Sequence, residues 1–171
     1  MKIEARLKEL GVELKPPPPP QFAFVGCRQV GNLVFVSGHG PRRADGTWIS
    51  GRMGEGMSIE EGQKAARQVA INMLQTLKGH IGDLDRVKQI VKLLCLVNST
   101  PGFRQQPLVA NGASEFLYEV FGEAGRHARS SVGIASVFEN IPIEIEMIVE
   151  VKPARRSALK SSAPRRSSRR S

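Results

Sequence analysis

The run Ile143-Glu144-Ile145-Glu146-Met147-Ile148-Val149-Glu150-Val151 constrains the fold more than any other segment, because apolar and polar residues alternate along it with period two. That period is the mark of a β-strand with one buried face. Ile143, Ile145, Met147, Val149 and Val151 point one way, and Glu144, Glu146, Ile148 and Glu150 the other. The run Arg129-Ser130-Ser131-Val132-Gly133-Ile134-Ala135 also reads as a strand. If Phe138 to Asn140 turn the chain into an antiparallel hairpin, Val132 and Ile134 join the core set. Arg129, Ser131, Gly133 and Ala135 then share the opposite surface with Glu144, since a slip of one residue would bury the carboxylates. With Gly133 opposite Glu144, Arg129 lies roughly 13 Å along the strand at ~3.3 Å per residue. The two groups would grip opposite ends of a small carboxylate-bearing molecule, or Glu144 would serve a neighbouring interface. The plainer reading of the same residues is a solvated sheet face.

The remaining pattern supplies a framework. Phe22 to Val30 and Leu33 to His39 read as strands joined at Gly31-Asn32, with Gly38 and Gly40 permitting a tight exit. Ser58-Ile59-Glu60-Glu61 is a capping box, after which Ala66, Val69, Ala70, Met73, Leu74 and Leu77 recur at helical spacing until Gly79 or Gly82. Val87 to Val97 reads as a long buried strand, and Pro107 to Phe121 as a second helix stopped by Gly122. The order β-β-α-β-α-β-β predicts an α+β fold, a mixed sheet with both helices on one face. Leu, Val and Ile occur on both sides of several strands, so the other face needs a cover, most simply a second copy.

At 171 residues, with 40% hydrophobic and 5% aromatic content, the chain can build one aliphatic core. The net charge of +9 is concentrated in Lys152 to Ser171, where Lys152, Arg155, Arg156, Lys160, Arg165, Arg166, Arg169 and Arg170 stand without an acid. Residues 1–20, with the proline run Pro16 to Pro20, read as an N-terminal extension, 21–152 as the domain, and 153–171 as a disordered basic tail. Such a tail would bind RNA through phosphates in a salt-dependent, sequence-blind way. Cys27 and Cys95 lack Cys-x-x-Cys spacing, and His39, His80 and His127 are scattered, so neither a disulfide nor a metal is expected. No apolar run spans a bilayer and Met1 to Leu10 lacks a signal-peptide core, which points to a cytoplasmic protein.

Several motifs occur together and in order: Val25-Gly26-Cys27-Arg28-Gln29-Val30-Gly31-Asn32-Leu33-Val34-Phe35-Val36-Ser37-Gly38, then Gly82-Asp83-Leu84-Asp85-Arg86-Val87, then Asn111, and finally Ala128-Arg129-Ser130 with Ile143-Glu144-Ile145-Glu146. From Phe22 to Val151 the chain resembles the Rid family, the reactive intermediate deaminases also described as YjgF-like or endoribonuclease L-PSP-like. The resemblance implies a chorismate-mutase-like fold, a homotrimer and ligand sites in the clefts between subunits. It implies hydrolysis of an enamine or imine of the 2-aminoacrylate type to a 2-oxo acid and ammonia, with no metal or cofactor. Arg129 matches the arginine that holds the substrate carboxylate, and Glu144 the glutamate that positions or activates water. Gly38 and Ser131 match backbone positions lining the pocket, and Asn111 an asparagine near it, although Asn also suits a helix N-cap. Phe24 stands where many active members have tyrosine, and Ser131 where they have cysteine, as in a divergent branch. RNA binding or endoribonuclease-like activity through the tail, and binding of a small carboxylate without turnover, are the alternatives.

Overall fold

The computed structural model describes residues 2–17, 19 and 23–153; the basic tail from residue 154 and parts of the proline run lie outside the described residues. The elements in chain order are α1 (Lys2–Glu9), β1 (Cys27–Val30), β2 (Leu33–His39), α2 (Ile59–Ile81), β3 (Val87–Asn98), α3 (Gln106–Phe121), β4 (Ala128–Ile134) and β5 (Ile143–Val151). From Cys27 onward this is the expected α+β order. The five strands form one sheet in the order β1-β2-β5-β3-β4. All neighbours are antiparallel except β3 and β4, which are parallel.

The hairpin between β4 and β5 does not form, because β3 lies between them. Two physical demands explain the arrangement. Every odd-numbered residue of β5 is buried, so β5 needs neighbours on both sides and takes the centre of the sheet. The chain leaving β3 must cross over through α3, and such a crossover returns it parallel to β3 at the outer edge. The register pairs Leu93 with Arg129, Cys95 with Ser131 and Val97 with Gly133. Arg129 and Ser131 therefore share the face of the buried Leu93, Cys95 and Val97, the face that the helices cover. Val132 turns to the open face, where it is 46% exposed, rather than joining the core.

Helix α2 begins as its capping box requires: the Glu61 amide donates to Ser58 Oγ at 3.2 Å, and the Ser58 amide donates to Glu61 Oε2 at 2.8 Å. Its apolar stripe, Ala66, Val69, Ala70, Met73, Leu74 and Leu77, is wholly buried against the sheet and α3. It ends at Gly82, whose φ of 81° suits a residue without Cβ. Helix α1 docks beside α3, burying Leu7, and the amides of Lys2 and Ile3 each donate to the Asp85 carboxylate at 2.8 Å. Those two bonds hold the Asp85 carboxyl down to about 2. Among the described residues no helix is long and apolar enough to cross a membrane.

His39 closes β2 against α2, with Nδ1 2.6 Å from the Ser37 carbonyl and Nε2 2.8 Å from Thr76 Oγ1. A carbonyl only accepts, so Nδ1 carries the proton of a neutral ring. Burial pushes the imidazole below its ordinary 6.5, against the pull of the Ser37 carbonyl. The unfolded chain then takes up a proton before the folded one does, and stability present above the ordinary value drains away as pH falls. The urea midpoint is expected to drop between about pH 7.5 and about pH 5.5, and less steeply in His39→Gln. An equal slope in both proteins would refute the assignment.

Candidate functional site

Arg129 leaves the β4 edge and runs under α3. Its Nη1 donates to Asn111 Oδ1 at 3.0 Å and to Ser114 Oγ at 2.8 Å, and its Nη2 donates to the Pro107 carbonyl at 3.1 Å. Asn111 and Ser114 are three residues apart in the helix and so project from one face. Asn111 is not the N-cap, since α3 starts earlier, at Gln106. Three of the five guanidinium N–H donors have partners among the described residues, which leaves Nε and one Nη2 hydrogen for an incoming anion. Arg129 lines a groove with Ser114, Tyr118, Arg126 and His127. The Ser131 hydroxyl is buried beside the Cys95 thiol, its neighbour across the β3–β4 pair. Opposite it, burial pushes the Cys95 thiol up to about 11 even with Arg129 nearby, and Cys27 also stands at about 11. Neither thiol is poised as a nucleophile.

Glu144 belongs to the other face. It pairs with Leu96 across β3 and points away from the helices. Its carboxylate lies on the backbone of Gly38, where a Cβ would collide with Oε1. Gly38 is not among the glycines with positive φ, so the residue admits a carboxylate rather than permitting a tight exit. Glu144 is half-buried and has no hydrogen bond or ion pair among the described residues. Burial first, and Glu146 second, push its carboxyl above the ordinary 4.5. Such a group favours taking up a proton, as a general base must. Beside it on the open face, Arg28, Phe35, Lys92, Leu94, Glu146 and Ile148 help to line a cavity of about 300 Å³. Phe24 precedes β1 and is 63% exposed.

The expected residues thus fall into two groups, Arg129 with Asn111 and Ser131 on the helix face, and Glu144 with Gly38 on the open face. The shared surface within one chain is overturned: Arg129 and Glu144 lie on opposite faces of the sheet, with β3 between their strands. Sequence reasoning missed Ser114 and the part His127 plays beside it. The signal was there in the spacing, since Ser114 follows Asn111 by about one helical turn and His127 precedes Arg129 by two residues, the interval that puts side chains on one side of extended backbone.

Residues 4–143 match the protein family described as "YjgF/chorismate_mutase-like, putative endoribonuclease". Protein TCP17 of Trypanosoma cruzi is 39% identical over 151 residues, which is 88% of this chain and 94% of that protein. The crystal structure of Atu1372 from Agrobacterium tumefaciens, a protein described there as of unknown function, superposes with a TM-score of 0.82 at 40% identity, covering 88% of this chain and 93% of that one. A crystal structure from Shewanella oneidensis, described as a "putative endoribonuclease", has the same TM-score of 0.82 at 30% identity, covering 87% of this chain and 99% of that one. The matched span takes in most of α1, the strands β1 to β4 and both large helices and reaches the first residue of β5, and with it the chain belongs to the YjgF/chorismate mutase-like family.

Proposed function

We propose that this chain hydrolyses carboxylate-bearing enamines or imines of the 2-aminoacrylate type to 2-oxo acids and ammonia, at sites completed between the copies of a homotrimer. The observation that carries the reading is Glu144, a half-buried carboxylate without a partner among the described residues, seated on the Gly38 backbone and shifted toward proton uptake. Water held by Glu144 adds to the imine carbon, and its proton passes to the carboxylate. Glu144 delivers that proton to the nitrogen to give the carbinolamine, whose hydroxyl proton passes to the nitrogen as the C–N bond breaks to leave carbonyl and ammonia. An enamine first becomes the imine by taking a proton from water at its terminal carbon and losing one from nitrogen. Arg129 of a neighbouring copy holds the substrate carboxylate with its unused N–H donors, for which a planar guanidinium is suited. Asn111 orients Arg129 rather than the substrate. Phe35, 42% exposed, and Val132, 46% exposed, give the open sheet face an apolar surface that a second copy would cover.

The test is the release of 2-oxo acid from enamine freshly generated from serine or threonine by a dehydratase. Wild-type protein is expected to accelerate release over buffer, and Arg129→Ala to lower kcat/KM by about 100-fold, the scale of truncating one side of a desolvated ion pair. No acceleration by folded wild-type protein, or a monomer in light scattering, overturns the proposal. The second reading, RNA cleavage, rests on the basic tail. Cleavage that is lost on truncation after Pro153 while deamination persists would assign the two activities to different parts of the chain.

A further inference from the structure

His127 and Ser114 are not needed for the chemistry just described, yet they form a continuous chain of hydrogen bonds ending on Arg129. Nδ1 of His127 is 2.7 Å from the Gly125 carbonyl, Nε2 is 3.0 Å from Ser114 Oγ, and Ser114 Oγ is 2.8 Å from Arg129 Nη1. The proton positions follow from the donor inventory. Arginine has no acceptor, so Ser114 Oγ accepts from Nη1 and its own hydrogen is free to go to His127 Nε2. Nε2 is then the bare nitrogen, and Nδ1–H donates to Gly125. In the neutral ring the Gly125 carbonyl, which only accepts, fixes this tautomer.

We propose that Ser114 and His127 are positioning residues for Arg129, fixing the guanidinium so that its two unused N–H donors stay presented to a carboxylate in the groove. The functional meaning rests on the reading of Arg129 as the carboxylate holder, whereas the relay itself does not. Protonation of His127 turns Nε2 from acceptor to donor, so the Ser114 hydroxyl hydrogen loses its acceptor and a second cation stands across Oγ from Arg129, which loosens the relay in acid. The charged and titratable groups facing the imidazole are Glu115, Tyr118 and Glu119 on α3, Glu123 and Arg126 around the turn before β4, and Arg129. Glu119 is engaged by Arg67 at 2.8 Å and Glu123 by Arg126 at 3.4 Å. Of these charges, Arg129 is the one joined to the imidazole through a single hydroxyl. Burial already holds His127 below 6.5, with the Gly125 carbonyl pulling it partly back and Arg129 pushing it down.

The test is nitrogen-15 NMR of the full chain, reading the mobility of Arg129 Nε and the tautomer of His127. A rigid Nε is expected in wild type and Ser114→Thr, and a mobile one in Ser114→Ala and in wild type below the His127 titration. The His127 midpoint should rise in Arg129→Ala. In enamine hydrolysis, Ser114→Ala should raise KM about 10-fold with kcat little changed, and Ser114→Thr should restore it. A protein that turns over no enamine would refute the proposed function while the NMR still decides the relay. The relay is overturned if Arg129 Nε stays rigid in folded Ser114→Ala. Should that variant not fold, a wild-type His127 protonated on Nε2 at neutral pH, or an Nε mobility that ignores the His127 titration, overturns it equally.

Discussion

Replacing Glu144 by glutamine is expected to lower kcat for enamine hydrolysis by about 10²- to 10⁴-fold, the range for losing a positioned general base. The substitution keeps size and shape, so the cleft survives and only the capacity to take a proton is lost. Gly38→Ala tests the same group from the backbone side. Its Cβ would land on Glu144 Oε1, the far end of a flexible side chain, so the carboxylate swings aside and the strand stays intact. Activity should fall without a matching loss of stability. The pH profile supplies a third reading of the same residue. Only the ionised carboxylate accepts a proton, and burial has moved its titration above 4.5, so kcat/KM should fall with pH at a higher value than an ordinary glutamate would give. That acid limb should vanish in Glu144→Gln. A glutamine variant within twofold of wild type would remove Glu144 from the mechanism.

How far the residues disclose this arrangement depends on where they sit in the sheet. The alternation of β5 is read correctly along its whole length, because a central strand with one face on the helices leaves period two as the sole solution. The capping box of α2 is equally legible, since both of its hydrogen bonds are local. The edge strand β4 misleads for a physical reason. Its core-facing positions are Arg129, Ser131 and Gly133, which meet polar groups of α3 and a close-approaching Ser99 rather than apolar side chains. Its apolar Val132 faces outward, to a surface that a single chain does not cover. Matching apolar faces therefore inverts the strand and brings Arg129 and Glu144 together on paper. Gly38 shows the same limit: a glycine that makes room for a carboxylate far along the chain looks, in sequence, like one that makes a turn.

The largest expected effect on stability falls at Gly112, on α3. A Cβ there would sit 2.6 Å from the carbonyl carbon of Gln63 and 2.7 Å from its Cα, so α2 and α3 touch backbone to backbone at this point. Helix propensity alone favours alanine over glycine by about 1 kcal/mol. Overpacking against backbone that cannot rotate away costs about 3 kcal/mol, the upper end of the usual range. The clash wins, and Gly112→Ala should lose about 2 kcal/mol in urea unfolding. Gly62, on α2, is the control. Its Cβ would meet Met53 Sδ and Val109 Cγ1, each at 3.0 Å, and these side chains can shift, so Gly62→Ala should change stability by less than about 1 kcal/mol. Gly112 also lies between Asn111 and Ser114, the two side chains that hold Arg129. A helix pushed off α2 carries both with it, and under conditions where Gly112→Ala remains folded its KM should rise more than its kcat falls. Wild-type stability in Gly112→Ala would mean that α3 does not depend on this backbone contact, and the positioning of Arg129 would then need another support.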